Sequence, residues 1–171
     1  VEVSSGIVMI VFNFLILKDS GNLGVAAYGI LANIALVLIS IFTGISQGIQ
    51  PILSSCFGKK ETKNVRSLLR YALTASVLFA CISYGVAYFF SDGIVDLFNK
   101  ERSPALHEIA VNGMHIYFTA FLFAGANIIS AAYFSAVDKP GCAFLISCLR
   151  GFLFVLPLAF TLSALLGLNG I

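Results

Sequence analysis

The chain has 171 residues, of which 59% are hydrophobic and 11% are charged, and its formal net charge is +2. A soluble domain typically has about 45–50% apolar and about 25% charged residues, and one of this length could not bury so much apolar surface. The composition therefore predicts an all-α integral membrane protein and excludes a soluble enzyme. Because the net charge is small and the basic residues form no binding face, nucleic acid is excluded as a partner.

Five apolar segments alternate with polar breaks along the chain. A helix that crosses about 30 Å of hydrocarbon needs about 20 mostly apolar residues, and each segment approaches or exceeds that length. The predicted transmembrane helices are residues 1–17, 23–57, 68–90, 105–137 and 142–166. Residues 93–98 are expected to form a short interfacial helix. We expect residues 1–171 to form a single transmembrane domain, and the apolar start at Val1 indicates a piece of a longer protein.

The distribution of basic residues predicts the orientation of these helices, because Lys and Arg are enriched in cytoplasmic connections. Seven of the ten basic residues flank the connections 58–70 and 138–141, and three flank the other connections. The sequence therefore predicts that residues 58–70 and 138–141 are cytoplasmic and that residues 91–104 face outward.

The polar and sulfur-containing side chains show no spacing that is typical of a metal site, a disulfide framework or a catalytic group. The four cysteines, at positions 56, 81, 142 and 148, form no C-x-x-C pair. His107 and His115 are eight residues apart and have no third ligand near them in the sequence, so metal binding is not expected. No nucleophile lies beside a base in a recognisable pattern, and the chain is therefore not predicted to be an enzyme.

Residues 44–51 read G-I-S-Q-G-I-Q-P and precede the basic segment F-G-K-K at 57–60. Two glutamines, two glycines and a proline at a helix end require a packed, partly wet environment in a membrane. This run resembles the second half of the multidrug and toxic compound extrusion (MATE) family, in which G-x-x-Q-G-x-Q-P precedes a basic cytoplasmic loop. Three further segments agree with this family in the correct order, namely 25–28 with Asn33, 135–140 and 167–171.

The resemblance implies that the five helices are similar to helices 7–11 of a twelve-helix, two-lobe transporter. The chain would then be most of the carboxy-terminal lobe, with the missing amino-terminal lobe, membrane lipid and a small cationic substrate as partners. The implied activity is secondary active efflux of organic cations or drugs, coupled to H⁺ or Na⁺ and without another cofactor. A lipid-linked saccharide flippase of the same superfamily and a non-transporting membrane scaffold are the alternatives.

Glu2 is the main candidate for ion coupling. It lies about 15 residues before Leu17, hence about 22 Å below the outer surface at a rise of 1.5 Å per residue, where an ionised carboxylate is costly and typical of a functional site. Glu2 is also similar to a seventh-helix glutamate that couples cations in some family branches. Those branches carry an aspartate on the tenth helix, whereas residues 121–127 here contain no acid. A complete sodium site is therefore in doubt, and a position of Glu2 at a cytoplasmic helix end is the alternative.

Three further residues are candidates for binding an ion or a substrate, namely Asn33, Tyr117 and Asn127. Tyr117 is the tyrosine that we expect to reach the cavity. Asn127 begins a narrow stripe of polar and small residues on the fourth predicted helix. Because an amide in hydrocarbon needs a polar partner, this stripe is expected to face the lobe interior, where it either lines a cavity or packs against a helix.

Four residues are candidates for a gate or a hinge, namely Gln47, Gln50, Pro51 and Pro157. The two glutamines are three residues apart on one helix face, and they either hydrogen-bond across helices or cap a cytoplasmic gate. A proline removes a backbone hydrogen bond. Pro51 and Pro157 therefore mark bends that either move during transport or are static kinks.

The predicted topology can be tested by thiol labelling from outside the cell. In full-length protein whose native cysteines are replaced by serine, an impermeant maleimide should modify Ser103→Cys but not Ser67→Cys, because the first lies in an outward connection and the second in a cytoplasmic one. Labelling of permeabilised cells should modify both positions. The reverse pattern in intact cells would contradict the orientation.

Overall fold

A computed structural model describes residues 2–99 and 102–149 together with Pro157 and Thr161. The side chains of residues 1–9 lie outside the described set. Every regular element among the described residues is helical, which confirms the all-α prediction. The elements are α1 (Glu2–Gly58), α2 (Thr62–Phe89), α3 (Ser91–Phe98), α4 (Pro104–Tyr117), a 3₁₀ turn (Phe118–Ala120), α5 (Phe121–Ala136) and α6 (Pro140–Cys148).

Three helical segments of the described chain are long and apolar enough to cross a membrane, namely Ser20–Gly58, Thr62–Phe89 and Pro104–Ala136. They coincide with the second, third and fourth predicted helices, so a multi-pass membrane protein is confirmed. The first predicted helix corresponds to helical backbone that begins at Glu2, and the fifth lies mostly outside the described residues. The count of five transmembrane helices therefore stays a prediction.

The long helix α1 reverses direction at Gly21. This residue has φ 64° and ψ −155°, outside the helical region, and its positive φ is a conformation that glycine adopts without strain. The ring centroids of Phe12 and Tyr28 are 6.1 Å apart, whereas a continuous helix would separate residues 16 positions apart by about 24 Å. Residues on the two sides of Gly21 therefore form a helical hairpin, as the polar break at 18–22 predicts.

The described chain divides into two compact units. The described residues of the first are 2–34, 87–99, 102–117 and 147–149 with Pro157 and Thr161, and those of the second are 35–86 and 118–146. The first unit contains the hairpin, the short helix α3 and the whole of α4. The second contains the remainder of α1, most of α2, the 3₁₀ turn and α5.

In the first unit, α3 packs against α4 through two histidines that lie two turns apart on one face of α4. His107 Nε2 is 3.3 Å from Asp96 Oδ1, and His115 Nε2 is 3.3 Å from Ser91 Oγ. Val95 of α3 is fully buried. These contacts confirm the short helix that the sequence predicts at 93–98, although it begins two residues earlier at Ser91.

In the second unit, one cluster of buried side chains joins the end of α1, the start of α2 and the end of α5. Its fully or largely buried members are Leu53, Val65, Ala136 and Val137. Ser54 Oγ also donates a hydrogen bond to the carbonyl oxygen of Ala136, at 3.4 Å. The turn after Gly58 and the turn after Ala136 therefore lie at the same end of the second unit. This agrees with the prediction that the connections 58–70 and 138–141 lie on the same side of the membrane.

The fourth predicted helix is interrupted, where the sequence predicts one continuous helix over 105–137. A 3₁₀ turn at Phe118–Ala120 separates α4 from α5. In a 3₁₀ turn, side chains at positions i and i+3 lie above one another, and the rings of Phe118 and Phe121 accordingly stack with centroids 5.3 Å apart. Both side chains are buried. The turn contains neither glycine nor proline, so no sequence signal for a helix break was present.

Close contact between α5 and α1 depends on Gly125. A Cβ atom added at Gly125 would lie 2.7 Å from Cε1 and 2.9 Å from Cδ1 of Phe42. The Phe42 side chain is fully buried, and its ring meets Phe79 edge to face at a centroid distance of 5.6 Å. The ring is therefore confined from two sides, and a methyl group at position 125 would force it to move.

Gly125→Ala is expected to destabilise the protein by about 1–3 kcal/mol, because overpacking a filled helix contact costs that much. Gly85→Ala is a matched control, since a Cβ at Gly85 would meet nothing within 4 Å and alanine favours helix over glycine. Thermal unfolding of the purified full-length protein, followed by circular dichroism, should show a lower midpoint for Gly125→Ala only. Equal midpoints for the two variants would contradict the packing.

Candidate functional site

A cavity of about 380 Å³ lies between the α1 hairpin and α4, entirely within the first unit. Its α1 wall is formed by five residues on both sides of the reversal at Gly21. These residues are Ile16, Gly24, Ala27, Tyr28 and Leu31. Small-molecule sites typically occupy about 300–1,000 Å³ and have mostly apolar walls with a few polar groups. The volume and the walls of this cavity fit that description.

The hairpin forms this wall because Gly24 has no side chain. A Cβ atom at Gly24 would lie 2.9 Å from Cγ2 of Ile16 and 2.7 Å from Cβ of Ser20. The two arms of the hairpin therefore come into contact next to the turn. Tyr28, one helical turn further along, stacks on Phe12 of the opposite arm with an interplanar angle of 27°, and it also lines the cavity.

The α4 wall consists of two adjoining rows of residues four positions apart, as expected for one face of a helix. The first row is Glu108, Asn112 and Ile116, and the second is Ile109, Gly113 and Tyr117. A Cβ atom at Gly113 would lie 2.9 Å from Cδ1 of Leu31. The glycine therefore brings α4 close to α1 at the middle of the wall.

The chemistry of the cavity is that of an apolar pocket with one carboxylate. Glu108 and Asn112 are exposed, whereas Tyr28 and Tyr117 are partly buried. The described walls contain no Lys, Arg or His, and Glu108 is the one carboxylate among them. Tyrosine rings attract cations through their π faces. The arrangement is therefore suited to a cationic molecule with an apolar body and unsuited to an anion.

The binding roles of the four candidate residues stay predictions, and the structure gives the surroundings of three of them. Tyr117 lines the cavity described above. Asn33 is exposed, and its Nδ2 donates a hydrogen bond to the carbonyl oxygen of Gly29 at 2.9 Å within the same helix. Asn127 is an exposed residue of the second unit. Glu2 begins the helical backbone of α1, and its side chain lies outside the described set.

The predicted gate and hinge residues lie within helices. Gln47 is exposed and Gln50 is partly buried. Pro51 is inside α1, so the carbonyl of Gln47 lacks its usual helical donor. Pro157 is helical and exposed, and its carbonyl oxygen accepts a 2.9 Å hydrogen bond from Thr161 Oγ1. Within α1, the backbone angles leave the helical region at Gly21 and not at Pro51, and the gate and hinge roles stay predictions.

Sequence analysis did not single out Glu108 or Asn112, which both line the cavity. The signal that would have found them is their spacing, because Glu108, Asn112 and Ile116 repeat every four residues on one helix face. The described residues contain no group of three or more His, Cys, Asp or Glu side chains that could hold a metal ion.

Residues 2–161 match the MatE family model. The chain belongs to the MATE family. Two curated relatives are both named multidrug export protein MepA. The protein from Staphylococcus haemolyticus (strain JCSC1435) is 25% identical over 166 residues, which are 97% of this chain and 36% of the relative. The protein from Staphylococcus aureus (strain bovine RF122 / ET3-1) is 23% identical over 157 residues, which are 92% of this chain and 34% of the relative.

The chain therefore spans about a third of the length of the curated relatives that it matches. A solved structure titled as the outward-facing conformation of a multidrug resistance MATE family transporter of the MOP superfamily matches with a TM-score of 0.90. It covers 98% of this chain and 38% of the solved chain at 15% identity, so this likeness shows the fold alone. MATE proteins are transporters, and the prediction that the chain is not an enzyme is confirmed by its membership.

Proposed function

We propose that the chain is most of the carboxy-terminal lobe of a secondary transporter that exports organic cations or other drugs in exchange for H⁺ or Na⁺. The observation that carries the proposal is the MATE family match over residues 2–161, in a chain with three apolar helices long enough to cross a membrane. The name of the matched Staphylococcus relatives, multidrug export protein, supports drugs as the substrate class.

The partner of this lobe would be the amino-terminal lobe of the same protein. The chain covers 36% of one relative and 38% of the solved neighbour, which leaves room for a second lobe of similar size. Secondary transporters work by rocking two repeats against each other around a site near the middle of the membrane. In this arrangement, membrane lipid surrounds both lobes, and the connections 58–70 and 138–141 face the cytoplasm.

Glu2 would couple export to the ion gradient. An ionised carboxylate within the hydrocarbon is stable only with a partner. A proton, a sodium ion or a cationic drug would each neutralise its charge at a different step of the transport cycle. Exchange of the drug for the coupling ion is explained most simply if the two compete for one anionic group. The described helix α5 carries no carboxylate that could complete a sodium site with Glu2. Proton coupling, or coupling through the missing lobe, is therefore proposed as at least equal to sodium coupling in this lobe.

The cavity chemistry favours drug export over transport of a lipid-linked saccharide. A flippase for such a lipid would need cationic side chains for its pyrophosphate group, and the described walls of the cavity carry a carboxylate instead. Arg150, the one basic residue in the sequence of the fifth predicted helix, lies outside the described residues. A non-transporting membrane scaffold is distinguished by measuring the flux of a fluorescent cation in the full-length protein.

Glu2→Gln in the full-length protein is expected to abolish gradient-driven efflux of a fluorescent organic cation, because the variant keeps size and hydrogen bonding but loses the charge. Expression and membrane insertion should remain near normal. Asn127→Ala should have the milder effect, altering substrate preference more than coupling. Unchanged efflux by a well-expressed Glu2→Gln protein would mean that the coupling group lies in the other lobe.

Residues 1–171 alone are expected not to transport, because only one of the two rocking elements is present. The chain can be purified, reconstituted into liposomes and given a pH or sodium gradient, with the full-length protein as a positive control. Accumulation of a fluorescent cation by liposomes that contain 1–171 alone would contradict the two-lobe proposal.

A further inference from the structure

We propose that the start of α2 forms a binding site for an anionic phospholipid. The headgroup would lie at Lys63, Arg66 and Arg70, and the acyl chains would lie along the exposed face of the helix that continues from them. The site is independent of the proposed export function, because it lies within the second unit and requires only that α2 crosses a membrane.

The three basic side chains lie on one face of α2. Lys63, Arg66 and Arg70 have the spacing i, i+3 and i+7, which puts them on one side of a helix within two turns, and all three are exposed. The buried residues of α2 in this unit repeat at helical spacing on the other side, namely Val65, Ala72, Ser76 and Ala80. The basic face is therefore directed away from the packed side of the helix.

The same end of the second unit has an excess of positive charge. Residues 58–70 carry five basic and one acidic side chain, and residues 138–139 carry one of each. Glu61 accepts a 2.7 Å hydrogen bond from Asn64 Nδ2. The ion pairs among the described side chains are formed by His107, so no described acid pairs with these lysines and arginines. Their charge is available to an anion.

An apolar stripe continues from the basic face toward the middle of the membrane. Val77 and Cys81 follow Arg70 by seven and eleven positions, so they return to the same side of the helix, and both are exposed. Val77 is about 10 Å from Arg70 along the helix axis, a distance that the acyl chain of a lipid spans. Thr74, between them, donates a 2.9 Å hydrogen bond from Oγ1 to the carbonyl oxygen of Arg70, so its hydroxyl can face hydrocarbon.

The basic face and the apolar stripe together fit an anionic phospholipid. Guanidinium groups bind phosphate oxygens through paired hydrogen bonds, and Lys and Arg beside a membrane-crossing helix attract anionic headgroups. A soluble anion would contact the basic residues and leave the stripe uncovered. A zwitterionic lipid would cover the stripe but gain little from the positive charge. A lipid with a net negative headgroup uses both features.

The test measures which lipid lies beside α2 in the full-length protein. The native cysteines are replaced by serine, Val77→Cys is labelled with bimane, and the protein is reconstituted into vesicles of equal parts phosphatidylglycerol and phosphatidylcholine. One of the two lipids carries dibrominated acyl chains, which quench bimane on contact, and a second sample has the bromine on the other lipid. The ratio of quenching should show about fivefold enrichment of phosphatidylglycerol at position 77.

Three double variants test whether the enrichment depends on the basic face. Arg66→Gln with Arg70→Gln should reduce it to less than about twofold, because the headgroup loses two charge contacts. Arg66→Lys with Arg70→Lys keeps both charges and should retain most of it. Lys18→Gln with Arg102→Gln is the matched control, since it removes the same net charge from exposed residues of the first unit, and it should leave the enrichment unchanged.

Further measurements control for the reporter, the fold and soluble anions. Bimane at Val37→Cys, an exposed position of α1, should give the same ratio in the unaltered protein and in all three double variants. Equal thermal midpoints will show that each variant is folded. Inorganic phosphate in excess should not change the ratio at position 77, because it does not occupy the apolar stripe.

The proposal is overturned if both brominated lipids quench bimane at position 77 equally, or if the glutamine variant and the matched control lose the enrichment equally. Absence of quenching by either lipid would show that protein covers this face, and loss of enrichment in phosphate would indicate a site for a soluble anion. Either result would also overturn it. Enrichment that depends on Arg66 and Arg70 in a protein that exports no fluorescent cation would contradict export and support the lipid site.

Discussion

The packing of the described helices depends on glycine residues at which two helices can approach each other closely. In a membrane, lipid is as apolar as the side chains, so helices associate through van der Waals contact and small residues at their interfaces. Gly24, Gly113 and Gly125 each lie where an added Cβ would come within 3 Å of a neighbouring side chain. Gly24 allows the two arms of the hairpin to touch, and Gly113 allows α4 to approach α1. Gly125 leaves room for the buried ring of Phe42. At each of these contacts, protein atoms replace lipid atoms. A residue larger than glycine would keep the two packed segments further apart.

The cavity is a consequence of two of these contacts. The reversal at Gly21 brings Ile16 beside Gly24, and the close approach at Gly113 brings α4 against Leu31 of the second arm. Because α4 is a helix, residues four positions apart share its facing side, and this geometry puts Glu108 and Asn112 in line with apolar neighbours. The polar part of the cavity wall thus arises from helix packing and requires no loop to form it.

The sequence was sufficient to predict the helical class, three of the membrane-crossing helices and the polar break around Gly21, because all of these depend on local composition. It also carried a family resemblance in residues 44–51. It could not predict the 3₁₀ turn at Phe118–Ala120, which follows from the stacking of two buried rings. Nor could it show that Glu108 lines a cavity, because that depends on which face of α4 meets the hairpin, a property of tertiary packing.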